Sequence, residues 1–127
     1  MSIKQVLLLQ IDNFLKELCS IFPNNGDILL FNEKYNLIRS ANSSLIIEYF
    51  IQYIYPHKQR IINNEESFFL DGGGQEELKD NSKLQFRDNI KKLWISEMSS
   101  QNKDIVWKYF KIFVILSEKY ILENINK

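Results

Sequence analysis

An apolar side chain every three or four residues, sustained over the first twenty residues, leaves this chain few folds to choose from. Ile3, Leu7, Ile11, Phe14, Leu18 and Ile21 advance by four, four, three, four and three, which puts all six on one side of an α-helix. Asp12, Asn13, Lys16 and Ser20 take the other side. Pro23 ends the helix and Asn24-Asn25-Gly26 reads as a turn. The pattern returns at the far end, where Ile105, Tyr109, Phe113, Leu116 and Tyr120 are read as the seam of a last helix near 102–123, opened by Ser99 or Ser100.

Between these helices the chain keeps helical habits. Asp27 is read as the N-cap of a helix over about 28–40, with Phe31, Tyr35 and Ile38 on its apolar side. Asn42 or Ser43 caps a third over 45–55, a stretch apolar nearly all round and so expected at the buried centre. Its isoleucines, tyrosines and phenylalanine also suit a strand, but eleven residues without partner strands favour helix. Pro56 restarts the chain at a helix N1 position, and a short helix runs to about Ile62. Phe68-Phe69-Leu70 is a short apolar plug. Around it, 64–81 holds Gly72-Gly73-Gly74 and six acids against Lys79 alone, which reads as a flexible acidic loop. A helix over about 82–98 follows, with Phe86, Ile90 and Leu93 inward. The expectation is an all-α, compact single-domain bundle of five or six helices covering 1–127, the terminal helices packing around 45–55.

Composition narrows function mainly by exclusion. Sixteen basic and sixteen acidic side chains give no net charge, where a dedicated polyanion binder shows a basic excess. One cysteine and one histidine cannot build a zinc site of Cys and His ligands. Cys19 lies in an apolar helix and reads as an inert core thiol, which suits an intracellular, reducing compartment. His57 reads as a surface histidine. The start shows no signal-peptide pattern and no stretch is apolar enough to span a bilayer, so no membrane insertion is expected. The glycine triplet precedes Gln75-Glu76-Glu77 where a phosphate loop would need Lys and Ser or Thr. No catalytic set, cofactor site, metal site or small-molecule substrate is read from the residues.

One stripe carries a positive reading. Lys83, Arg87 and Lys91 fall at i, i+4 and i+8 of the helix over 82–98, and Trp94 projects between the first two. Lys92 adds charge, and the last helix brings Lys108 and Lys111. Lysine and arginine neutralise phosphates, and an exposed tryptophan stacks on bases. The competing reading is an ordinary solvated helix face, with Trp94 extending the apolar side of Ile90.

Leu93-Trp94, the stretch from Met98 through Trp107-Lys108-Tyr109-Phe110 to Lys111, Leu116-Ser117-Glu118-Lys119-Tyr120, Phe22-Pro23, the 42–56 helix and Ser67-Phe68-Phe69-Leu70 together resemble a group of small all-helical proteins of large nucleocytoplasmic DNA viruses of algae and protists. The resemblance spans most of the chain. It implies a viral accessory or virion component, in host cytoplasm or particle, and supplies no catalytic residue. Members more often carry charged and aromatic residues where Gly72-Gly73-Gly74 stands. Eighteen Ile, thirteen Asn and thirteen Lys are what AT-rich codons encode, in keeping with such a source. The expectation is therefore a non-enzymatic interaction or structural protein with a protein partner, self or other. The alternative is a nucleic-acid-binding module using the Lys83, Arg87, Lys91, Lys92 and Trp94 stripe.

Overall fold

Ser2 opens the first helix with a reciprocal cap. Its hydroxyl accepts from the Gln5 backbone N–H at 3.1 Å while the Gln5 side chain accepts from the Ser2 N–H at 3.0 Å. The computed structural model describes residues 1–71 and 85–125. α1 runs Ile3–Ile21 and buries Leu7, Ile11, Phe14 and Leu18 of the expected stripe, with Leu8 and Leu15 beside them.

α2 runs Gly26–Asn42. Its cap is Asn25, whose side chain accepts from the Ile28 N–H at 3.1 Å. The sequence reading placed the cap at Asp27, which instead sits in the first turn, where its charge meets the positive end of the helix dipole. α2 buries Ile28, Phe31 and Tyr35 only.

From Ser44 to Ile62 the chain is helical throughout but changes its winding: α3 (Ser44–Tyr49), a π-helical segment (Phe50–Ile54), a 3-10 turn (Tyr55–His57) and α4 (Lys58–Ile62). Pro56 accounts for the change. It has no N–H to offer and its ring collides with the carbonyl four residues back, so an undistorted α-helix cannot pass through it. Ile46, Ile47, Tyr49, Phe50, Tyr53 and Ile54 are buried, as expected of the central segment. α4 ends in a paired C-terminal lock. Asn64 takes the left-handed conformation (φ 54°), the Glu65 N–H reaches the Arg60 carbonyl at 2.9 Å, and the Asn64 N–H reaches that of Ile61 at 3.1 Å.

The acidic segment 64–81 is thus a loop only in part. Within its described portion α5 (Ser67–Leu70) is helical and buries Phe68 and Phe69 completely; 72–81, with the glycine triplet, lies outside the described residues. The helix expected over 82–98 is shorter: α6 runs Phe86–Ser96, with Gln85 left-handed (φ 42°) before it and Glu97 and Met98 outside it, and α7 (Ser100–Ile125) closes the chain. The α7 seam is rotated in part from the one expected. Phe113 and Leu116 of the expected seam are buried, together with Val106, Trp107, Phe110, Val114 and Ser117, while Ile105, Tyr109 and Tyr120 sit at the margin of the core.

α1 and α7 pack along one another, and the α3–π segment lies against both. Phe14, Phe50, Phe86, Phe110 and Phe113 meet at the centre: Phe14 to Phe110 is 5.6 Å between ring centroids, Phe50 to Phe86 5.3 Å and Phe110 to Phe113 5.2 Å. Burying one such side chain is worth roughly 1.5–3 kcal/mol, whereas a surface ion pair such as Arg60–Asp71 contributes about 0–1 kcal/mol. The aromatic interior therefore decides the fold, an all-α single-domain bundle without a strand among the described residues. None of its described helices is long and apolar enough to cross a membrane.

Candidate functional site

Among the described residues, those read from sequence as a basic stripe do not all share a surface. Arg87 is 3% exposed. Its guanidinium lies 4.2 Å from the centroid of the Phe68 ring and donates to the Phe68 carbonyl at 2.7 Å. Trp94 is also 3% exposed. It stacks on Phe69 at 4.6 Å, meets Trp107 edge-on at 5.4 Å, and donates its indole N–H to Glu66 at 3.2 Å. A buried guanidinium cannot meet a phosphate and a buried indole cannot stack on a base, so both leave the proposed stripe. The physical reason is α5: the Phe68-Phe69 pair needs a lid, and α6 supplies it with these two side chains. Lys91 is half-buried and Lys92 exposed. Lys92 borders a crevice of about 120 Å³ with Asn25, Asn89 and Glu97. Lys83 lies outside the described residues.

Lys108 and Lys111 are brought together. With Asp104, Trp107, Ile112 and Ile115 of α7 and Asn64 from the turn after α4, they line an open groove of about 480 Å³. At 100° per residue Asp104, Lys108, Lys111, Ile115, Lys119 and Leu122 fall within about 80° of one another. Lys108, Ile115, Lys119 and Leu122 are exposed, Ile115 to 50%. Neither Lys108 nor Lys111 is ion-paired among the described residues. The outer side of α7 is therefore a stripe of cations interrupted by bare aliphatic side chains. Sequence reasoning found two of its lysines and missed its apolar half, because Ile112 and Ile115 disappear into a helix that is apolar on most sides. The signal was the i, i+3, i+7 spacing of Lys108, Lys111 and Ile115.

Two polar clusters had no sequence signal. Asp12 accepts from the Tyr35 hydroxyl at 2.8 Å and the Arg39 Nε at 2.9 Å, joining α1 to α2 beside an open depression of about 410 Å³. Burial, then the Asp12 hydrogen bond, raises the Tyr35 phenol far above its usual range, so it stays a neutral donor. Glu118 accepts from Lys58 Nζ with both oxygens, at 3.1 and 3.0 Å, and from Tyr55 at 3.1 Å. The Lys58 bonds first, then the Tyr55 bond, hold its carboxyl below the usual range. Both clusters tie helices together. Cys19 is half-buried, and burial pushes its thiol up, away from the reactive thiolate. Among the described residues no three His, Cys, Asp or Glu side chains come together as metal ligands.

Comparison of the chain with protein-family models, with curated proteins and with solved structures finds no match.

Proposed function

We propose that this is a non-enzymatic helical interaction protein whose docking face is the outer side of α7, and that its partner is another protein presenting an acidic amphipathic helix. One observation carries the reading: Lys108 and Lys111 rim a groove lined also by Asn64, Asp104, Trp107, Ile112 and Ile115, so its two lysines outnumber its one carboxylate. A helix laid along such a groove buries its apolar side on the aliphatic residues. Its carboxylates meet the lysines, which sets orientation and partner choice more than affinity. The resemblance to helical proteins of large DNA viruses accords with an accessory or virion role for such a module.

The second reading, nucleic-acid binding, is favoured by three lysines on one helix side, Lys108, Lys111 and Lys119, though it now lacks Arg87 and Trp94. One experiment separates the two. The chain, its Ile115→Glu variant and its Lys108→Glu/Lys111→Glu variant are used as baits in the native source, with protein and nucleic acid both read out. The expected result is a protein with an acidic helical segment, lost from both variants. Nucleic acid retained by Ile115→Glu and lost from the lysine variant selects the second reading. A strictly monomeric chain that captures nothing counts against both.

A further inference from the structure

Most concave sites on a protein have an apolar wall. The depression between α1 and α2 has none. Asp12 and Lys16 line it from α1, and Asn32, Tyr35, Asn36, Arg39 and Ser40 from α2. Each brings a charged, amide or hydroxyl group. Helical spacing gathers them: i and i+4 on α1, and i, i+3, i+4, i+7 and i+8 on α2. The volume of about 410 Å³ falls in the range that holds a small molecule.

One part of the lining is fixed. Tyr35 is 1% exposed, and its hydroxyl donates to Asp12 Oδ1 at 2.8 Å. The same oxygen accepts from Arg39 Nε at 2.9 Å. The Asp12 charge is thus met inside the protein. That bond uses the Nε of Arg39, so the Nη pair at the tip is left for a second oxyanion, on a fork whose plane is already held. Lys16 is exposed and forms no ion pair among the described residues. The lining therefore carries two cations against one carboxylate, and that carboxylate is paired.

The donors select the ligand. Lys16 Nζ, the Arg39 fork, the Asn32 and Asn36 amides and the Ser40 hydroxyl outnumber what the two oxygens of a carboxylate can accept together. A phosphate monoester has three terminal oxygens and more charge. Asp12 Oδ2, which takes no part in the bonds to Tyr35 and Arg39, and the amide oxygens accept from hydroxyls of a ligand. Tyr35 supplies the one ring in the lining and it is buried, so a nucleobase has no face to stack on. We propose that this depression binds a small sugar phosphate, with its phosphate on Lys16 and Arg39 and its hydroxyls on Asp12 and the two asparagines. The site shares no residue with the α7 groove, and either can fail without the other.

Heteronuclear NMR titration of the full chain with glucose 6-phosphate tests it, with inorganic phosphate, glucose and adenosine monophosphate for comparison. Saturable shifts should centre on Asp12, Lys16, Asn36 and Arg39, and glucose 6-phosphate should bind more tightly than the other three. Lys16→Ala should weaken it about tenfold, and so should Arg39→Lys, which keeps the charge and loses the fork. Asn36→Asp, which sets a second carboxylate in the lining, should abolish it. Lys16 and Asn36 are exposed, so these two variants keep the fold, and an unchanged circular dichroism spectrum confirms it. Shifts that do not saturate, or that centre on Lys108 and Lys111, overturn the proposal. So does binding that the variants leave unaltered, or any of the three comparison compounds bound as tightly as glucose 6-phosphate.

Discussion

The Arg87 guanidinium lies 4.2 Å from the centre of the Phe68 ring and donates at 2.7 Å to the carbonyl of the same residue. One side chain of α6 thus holds both the ring and the backbone of α5. Removing it strips the Phe68 carbonyl of a charge-assisted donor and opens a hole beside a fully buried ring. Arg87→Ala is expected to cost about 3 kcal/mol. Arg87→Lys should recover little, because an ammonium cannot lie flat on the ring and reach the carbonyl together. Urea unfolding of the two variants checks this. A loss within a few tenths of a kcal/mol of zero would return Arg87 to the surface.

Tyr109 gives the stability a pH signature. Its hydroxyl donates to Glu17 at 2.7 Å, tying α7 to α1. Burial first, and the Glu17 hydrogen bond next, push the phenol up from 10.0 to about 12. Because the folded value is the higher one, the contribution is complete below the unfolded value and is lost as pH rises through the folded one. The Tyr35 phenol is raised too, so it acts in the same direction. Denaturant midpoints should therefore fall between roughly pH 10 and 12, and Tyr109→Phe should fall less steeply there. Parallel curves for the two proteins would refute the assignment.

The periodic spacing of apolar residues made the helices legible, because a stripe such as Leu7, Ile11, Phe14 and Leu18 can be buried in only one way. The basic stripe misled for a related reason. Spacing fixes which residues share a side of a helix but not which side a neighbour covers. Arg87 and Trp94 shared a side with lysines in projection, yet what buries them is the Phe68-Phe69 pair of α5. That contact is long-range and leaves no trace in local pattern. The π-helical turn was half-legible: Pro56 announces a break, but whether the chain kinks, stops or rewinds depends on how tightly Phe50 and Ile54 are held. The first half of the α7 seam was read one residue off, at Ile105 and Tyr109 for Val106 and Phe110, because Ile105-Val106-Trp107 and Tyr109-Phe110 offer apolar residues on either choice; Phe113 and Leu116 are buried as expected.

Asn25 and Asp27 stand two residues apart at the start of α2, and either is a capping residue by type. The Asn25 side chain accepts from the Ile28 N–H, and Asp27 occupies the first turn. Asn25→Ala should therefore cost about 1 kcal/mol. Asp27→Asn, which removes only a charge near the helix dipole, should cost about 0.3–1 kcal/mol and lose that effect in high salt. Thermal unfolding at low and high ionic strength separates them. A cap at Asp27 would reverse the order.

On α7 the two sides of one helix should separate folding from docking. Phe110 is fully buried and touches Phe14, Phe69 and Phe113. Phe110→Ala leaves a cavity among rings that cannot collapse into it, and about 3–5 kcal/mol should be lost. Ile115, five residues on, is half-exposed in the groove. Ile115→Glu gives up little burial and should change stability by no more than about 0.5 kcal/mol. Its effect should fall on association instead, since a carboxylate in the groove repels the acidic helix that Lys108 and Lys111 attract. A partner bound equally well by wild type and Ile115→Glu, with stability unchanged, would mean that the groove is not where the protein is recognised.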